Sequence, residues 1–168
     1  MLLKTHLGIE AIGFLLIAAT AILTALAFQH IGGYIPCKLC LGQRIPYYTA
    51  IPVAIVACLM VWRHGSPRLI QFLFALLTLI MVYSVYLGVR HSGVEWGWWA
   101  GPGDCGAVDG NMATDTTNLL KQLSTTRPPS CDIAAGRFLG LSFAGWNVVS
   151  SLALLWIALR GAFGKTAS

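Results

Sequence analysis

The chain has 168 residues, 57% of them hydrophobic and only 10% charged, far from the roughly 25% charged residues of a soluble domain. So few charges cannot clothe a water-facing globule, and lipid is the expected solvent for most of the chain. Eleven Lys and Arg against six Asp and Glu give a net charge of +5, but no run of basic residues suits a phosphate backbone, which excludes nucleic-acid binding.

About 20 apolar residues cover a ~30 Å hydrocarbon core, and four segments approach that length. The first runs from about Leu7 to Ile31. It is too long for a signal-peptide core and no A-x-A-like site follows it, so it is expected to be a retained helix. A loop from Gly32 to Arg44 carries Cys37 and Cys40. The second segment, about Ile45 to Trp62, is barely long enough, and Pro46 disfavours helix at Ile45. A tight turn, Arg63 to Arg68, leads to a third segment over about Leu69 to Val89.

A long loop, Arg90 to Arg137, follows. In it Trp96, Trp98 and Trp99 form an aromatic anchor for the headgroup zone. Thr114 or Asp115 caps a short helix with Leu119, Leu120 and Leu123 on one face, expected to lie on the membrane surface. The fourth segment runs from about Phe138 to Leu159. The fold expected is an all-α membrane protein: one domain over 1–168, a four-helix transmembrane bundle (helices about 7–31, 45–62, 69–89 and 138–159) with a short surface-lying helix in the second outer loop.

Lys4, Arg63, Arg68, Arg160 and Lys165 cluster at one set of helix ends with no acidic residue, whereas the Arg90–Arg137 loop holds five of the six acidic residues. The positive-inside rule then puts both termini in the cytoplasm and both cysteine loops on the opposite face, toward the exterior or periplasm.

Of the five cysteines, Cys37 and Cys40 form a CxxC in the first outer loop, and Cys105 and Cys131 lie 26 positions apart in the second. All four face the oxidising side, where thiols pair, and four cysteines allow three connectivities. Two structural staples are the bland reading, but a CxxC ring is too short to remove much unfolded-chain entropy. A four-thiolate zinc site calls for C-x2-C twice, and one is present. Redox-active cysteines are the better reading. Cys58, within the second helix, is read as packing.

The electron acceptor has to be recruited, because the chain has no GxGxxG, no CxxCH and no cluster-binding cysteine motif. The CxxC lies at the boundary of water and lipid, where a membrane quinone is the available species. Arg44, four residues after Cys40, would sit one helical turn from it, lower the pKa of the Cys40 thiol and stabilise negative charge on a quinone oxygen.

The stretch FQH at Phe28 to His30, PCKLC at Pro36 to Cys40, Arg44, the separated Cys105 and Cys131, and RFLGLSFAGWN at Arg137 to Asn147 together resemble the family of disulfide bond formation protein B (DsbB) over nearly the whole chain. The resemblance implies a quinone-dependent thiol oxidase that uses ubiquinone or menaquinone and reoxidises a DsbA-like periplasmic thioredoxin-fold oxidase. It implies that the partner attacks a Cys105–Cys131 disulfide through Cys105, and that Cys131 then attacks Cys37. Cys40 is left as a thiolate facing the quinone beside Arg44. His91 resembles a histidine placed near the quinone; His30 is a weaker candidate of the same kind, and Glu10 reads as structural.

Gln43 stands where relatives often carry an acid, and DIAAG after Cys131 keeps little of the usual pattern. An electron conduit across the membrane would need more than Cys58 inside the helices. The vitamin K epoxide reductase group shares the redox logic but carries its CxxC near the end of the bundle. The remaining alternative is a disulfide-stapled or metal-binding membrane scaffold without redox turnover.

Overall fold

In lipid a backbone amide has no water to bond, so an apolar segment satisfies itself by coiling into a helix. The computed structural model describes residues 2–101 and 131–164, with side chains from residue 6 onward. Its elements are α1 (Leu2–His30), α2 (Lys38–Gly42), α3 (Ile45–Trp62), α4 (Pro67–Glu95), β1 (Arg137–Phe138), β2 (Leu141–Ser142) and α5 (Phe143–Phe163). Four helical stretches are long and apolar enough to cross a membrane, namely His6–His30, Lys38–Trp62, Pro67–Glu95 and Phe143–Phe163. The chain is a multi-pass, all-α membrane protein. The surface helix expected around residues 114–123 lies outside the described residues.

The long helices follow one another around a bundle. α1 packs on α3 and α5, α4 packs on α3 and α5, and α1 meets α4 only weakly across the diagonal. Leu7, Ala11, Phe14, Ala18 and Ile22 line the inner face of α1 at the three-and-four spacing of a left-handed bundle. Ala50, Ala54 and Ala57 keep α3 thin enough for close approach. At the far end of α5, a Cβ on Gly161 would lie 2.4 Å from the Phe74 ring, so glycine is what lets α5 and α4 touch there. Ile9, Leu16, Phe72, Leu79 and Trp156 point outward and are exposed, as lipid-facing residues should be.

Glu10 has a structural partner. Its carboxylate lies 3.1 Å from Arg160 Nε and 3.6 Å from His6 Nε2, which pins the start of α1 to the end of α5. Arg160 also lies over the Trp156 ring, 4.6 Å from its centroid.

Three boundaries differ from the sequence expectation. The third span continues six residues past Val89 to Glu95, because the stop is supplied by Gly97 and not by the polar residues from Arg90 on. Gly97 has φ +72°, the Trp98 N–H donates to Gly93 C=O at 2.9 Å, and the Gly97 N–H donates to Val94 C=O at 3.1 Å. This is a Schellman ending. The second span reaches back to Lys38, since Gln43 and Arg44 both keep right-handed helical backbone. Pro46 sits in the first turn of α3, where its missing N–H costs nothing.

The fourth span starts later than expected, at Phe143. Phe138 belongs instead to an antiparallel hairpin, with Leu139 (φ 52°) and Gly140 (φ 83°) at its tip. The helix then begins at Ser142, whose hydroxyl accepts the Gly145 N–H at 3.1 Å.

Candidate functional site

Pro36 delivers an extended Cys37 to the start of α2, where Cys37 acts as N-cap and its sulfur accepts the Cys40 N–H at 3.3 Å. One short turn folds Cys40 back over Cys37, and their sulfurs lie 3.1 Å apart. The Cys40 thiol beside it, and next His91, hold the Cys37 thiol well below the ordinary thiol range, against the opposing effect of burial.

The two sulfurs face different neighbours. Cys37 is buried in one cluster with Val94 and Cys131. Cys131 is disulfide-bonded, while Cys37, Cys40 and Cys58 are free thiols. Cys105 lies outside the described residues. Cys40 is partly buried against the same cluster and, unlike Cys37, also lines a cavity of about 450 Å³ between α1, α3 and α5, walled mainly by Ala21, Ile22, Phe28, Phe143 and Trp146.

His91 lies inside α4, 3% exposed, and its Nε2 is 3.7 Å from Cys37 Sγ. The Gln43 amide nitrogen lies 2.8 Å from His91 Nδ1, and the Glu95 carboxylate lies 3.8 Å from Nε2. The sequence expectation puts His91 beside a quinone. It is not among the residues lining the cavity but stands behind the CxxC, against Cys37. The reason is the longer α4, which buries His91 within the bundle instead of leaving it at the lipid surface.

Arg44 lines the same cavity as Cys40. Its guanidinium donates to Gln29 Oε1 and, at 3.5 Å, to the Ala25 carbonyl, both on α1. Both hydrogen bonds of Arg44 thus run to α1, and the side chain that approaches a CxxC sulfur is His91, 3.7 Å from Cys37 Sγ. Arg44 therefore meets Cys40 across a shared cavity wall and not as a direct partner of the thiol.

Glu95 and Gln29 are additions that sequence reasoning missed. Glu95 stands four residues after His91, a spacing that pairs side chains once the helix is known to continue. Gln29 was visible in FQH but carried no role until α1 and α3 were packed together. Gln43, a departure from the family pattern, is the residue that orients His91. His30 is exposed at the end of α1 and does not line the cavity. Cys58 packs against the core from α3. Trp96, Trp98 and Trp99 stack edge to edge and are exposed beyond α4, as an interfacial anchor requires.

The chain is 26% identical over 140 residues to an uncharacterised protein of Rickettsia prowazekii (strain Madrid E), covering 83% of this chain and 78% of that one. No solved structure matches it. The family described as disulfide bond formation protein DsbB matches residues 10–160. A match from the first span to the last, on a four-span bundle that carries a CxxC at one end, establishes that this chain belongs to the DsbB family of disulfide-generating membrane oxidoreductases.

Proposed function

We propose that the chain is a thiol oxidase of the bacterial inner membrane that reoxidises a DsbA-like thioredoxin-fold oxidase in the periplasm and passes the electrons to ubiquinone or menaquinone. In this reading residues 1–168 act as one domain, with both termini cytoplasmic. The observation that carries it is the split environment of the CxxC: Cys37 packs with Cys131, while Cys40 faces a mostly apolar cavity.

The cavity suits a quinone ring. Its walls are aromatic and aliphatic, and Arg44, Gln29, Tyr47 and Asn147 supply polar groups. A second groove of about 310 Å³, lined by Leu16, Ile17, Thr20, Ala21 and Ser150, shares Ala21 and Ser150 with the cavity and extends it along the α1–α5 seam. A long isoprenoid tail would lie there. When bound, the quinone supplies an acceptor for two electrons and two protons.

The chain's own residues then act in order. The partner's thiolate attacks the Cys105–Cys131 disulfide, bonds to Cys105 and frees Cys131. Cys131 attacks Cys37, forming a Cys37–Cys131 bond and leaving the electron pair of the broken Cys37–Cys40 bond on Cys40. Resolution by the partner's second thiol and by Cys105 restores the Cys105–Cys131 disulfide and leaves Cys37 and Cys40 reduced. His91, oriented by Gln43, stabilises the Cys37 thiolate, and Arg44 holds positive charge at the cavity wall beside Cys40.

The test is a division of labour. Replacing Cys37 or Cys40 by Ser should abolish quinone reduction. Replacing Cys105 or Cys131 should block oxidation of the protein partner yet leave small dithiols able to reduce quinone through the CxxC. If Cys131→Ser lost both activities equally, or neither, the relay would be wrong.

A further inference from the structure

Cys37, Cys40 and His91 make a donor set whose chemistry is not exhausted by disulfide exchange. The sulfurs are 3.1 Å apart, His91 Nε2 is 3.7 Å from Cys37 Sγ, and all three donor atoms lie within 4.8 Å of one another. A tetrahedral cation with bonds of about 2.3 Å to sulfur and 2.0–2.1 Å to nitrogen sets its donors roughly 3.5–3.8 Å apart. The imidazole already meets that spacing from Cys37, and the sulfurs need to open by only about 0.6 Å.

The surroundings favour the same occupant. Gln43 engages His91 at Nδ1 and leaves Nε2 turned toward the sulfurs. The amide nitrogen of Gln43 faces Nδ1; metal binding at Nε2 calls for a half-turn of that amide, which presents its oxygen to Nδ1, puts the proton there and leaves Nε2 the lone pair of a metal-bound histidine. Two thiolates and a neutral imidazole around a divalent cation sum to zero charge, which suits a site where Cys37 is 5% and His91 3% exposed.

We infer that the reduced CxxC and His91 bind a zinc-class divalent cation, and that closing the disulfide expels it. Binding displaces the two thiol protons. Oxidation by a two-electron acceptor withdraws one electron from each sulfur, forms the S–S bond and releases the cation, because both thiolate ligands vanish together. A chain holding the metal has neither sulfur free for exchange, so the site ties turnover to the local availability of soft cations. The inference does not depend on the quinone reading, since the dithiol alone supplies the ligands.

The full-length chain in detergent, reduced and freed of reductant under anaerobic conditions, would be titrated with Co²⁺ and then with Zn²⁺. Thiolate-to-cobalt charge-transfer absorption at one ion per chain is expected, displaced by Zn²⁺. It should persist in a Cys105→Ala, Cys131→Ala background and in Cys58→Ala. It should vanish in Cys37→Ser and Cys40→Ser, and after the wild-type chain is oxidised with diamide, a control that needs no mutation. His91→Ala should weaken binding by about tenfold or more. A spectrum without charge transfer, loss of binding in the Cys105, Cys131 background, or unchanged affinity in His91→Ala would each overturn the site.

Discussion

In the proposed mechanism Arg44 and His91 divide work that sequence spacing assigns to one cation beside Cys40. Arg44 reaches across to Gln29 and the Ala25 carbonyl while lining the cavity, so its loss should weaken quinone use more than partner recognition. Losing a hydrogen bond to a charged group costs about 1.5–3 kcal/mol, a roughly tenfold to hundredfold effect. Arg44→His is therefore expected to raise the apparent KM for quinone by about that factor, and Arg44→Lys by less, because charge survives but the planar fork does not. Steady-state oxidation of reduced partner at varied quinone concentration measures this. An unchanged quinone dependence in Arg44→His would reduce Arg44 to a clamp between α1 and α3.

Cys37 carries a separate signature. Its thiol is held low by Cys40 and His91, so its thiolate persists as pH falls and is lost only below that depressed value. Alkylation of the reduced chain, followed by mass spectrometry of the Cys37 peptide, should remain fast at pH values where an ordinary thiol of pKa about 8.5 is almost fully protonated. His91→Ala should move the midpoint upward. A midpoint in the ordinary thiol range would remove His91 from the site.

The site owes its shape to where helices stop. Had α4 ended at Val89, His91 and Glu95 would lie in a loop. The Gly97 ending instead carries both into the bundle behind Cys37. Gly93 makes this ending possible, since a Cβ there would lie 2.1 Å from Trp99 Cζ2. Gly93→Ala should displace Trp99, whose indole N–H donates to the Arg90 carbonyl, and destabilise the fold by roughly 1–3 kcal/mol. Thermal unfolding in detergent reports it, and an unchanged midpoint would show that Trp99 moves aside freely. The α1–α5 seam makes a second claim. Thr20→Phe, in the groove away from Cys40, should raise KM for long-tailed quinones while leaving short-tailed analogues unaffected; equal effects on both would place the tail elsewhere.

The bundle as a unit brings Cys37 and Cys131 into one buried cluster at one end and joins Glu10 to Arg160 at the other. In the proposed orientation an impermeant thiol reagent should reach reduced Cys40, the less buried member of the CxxC, from the periplasmic side of intact cells. Labelling confined to broken cells would reverse the assigned orientation.

Span number, helical class and family membership were legible in the order of residues, because hydropathy and the CxxC with its flanking motifs are properties of the chain alone. The ends of the spans were less legible. Polar residues from Arg90 to Glu95 look like a loop, but helix termination depends on Gly97, and burial of His91 and Glu95 depends on what packs over them. Phe138 failed for the same reason, since its apolar character fits a helix as well as the hairpin that Gly140 and Ser142 impose. Only packing separates Cys40, on the cavity, from Cys37, on Cys131, and only packing sends Arg44 to Gln29 on another helix. Those contacts join residues distant in sequence, and no local pattern encodes which helix face will meet which.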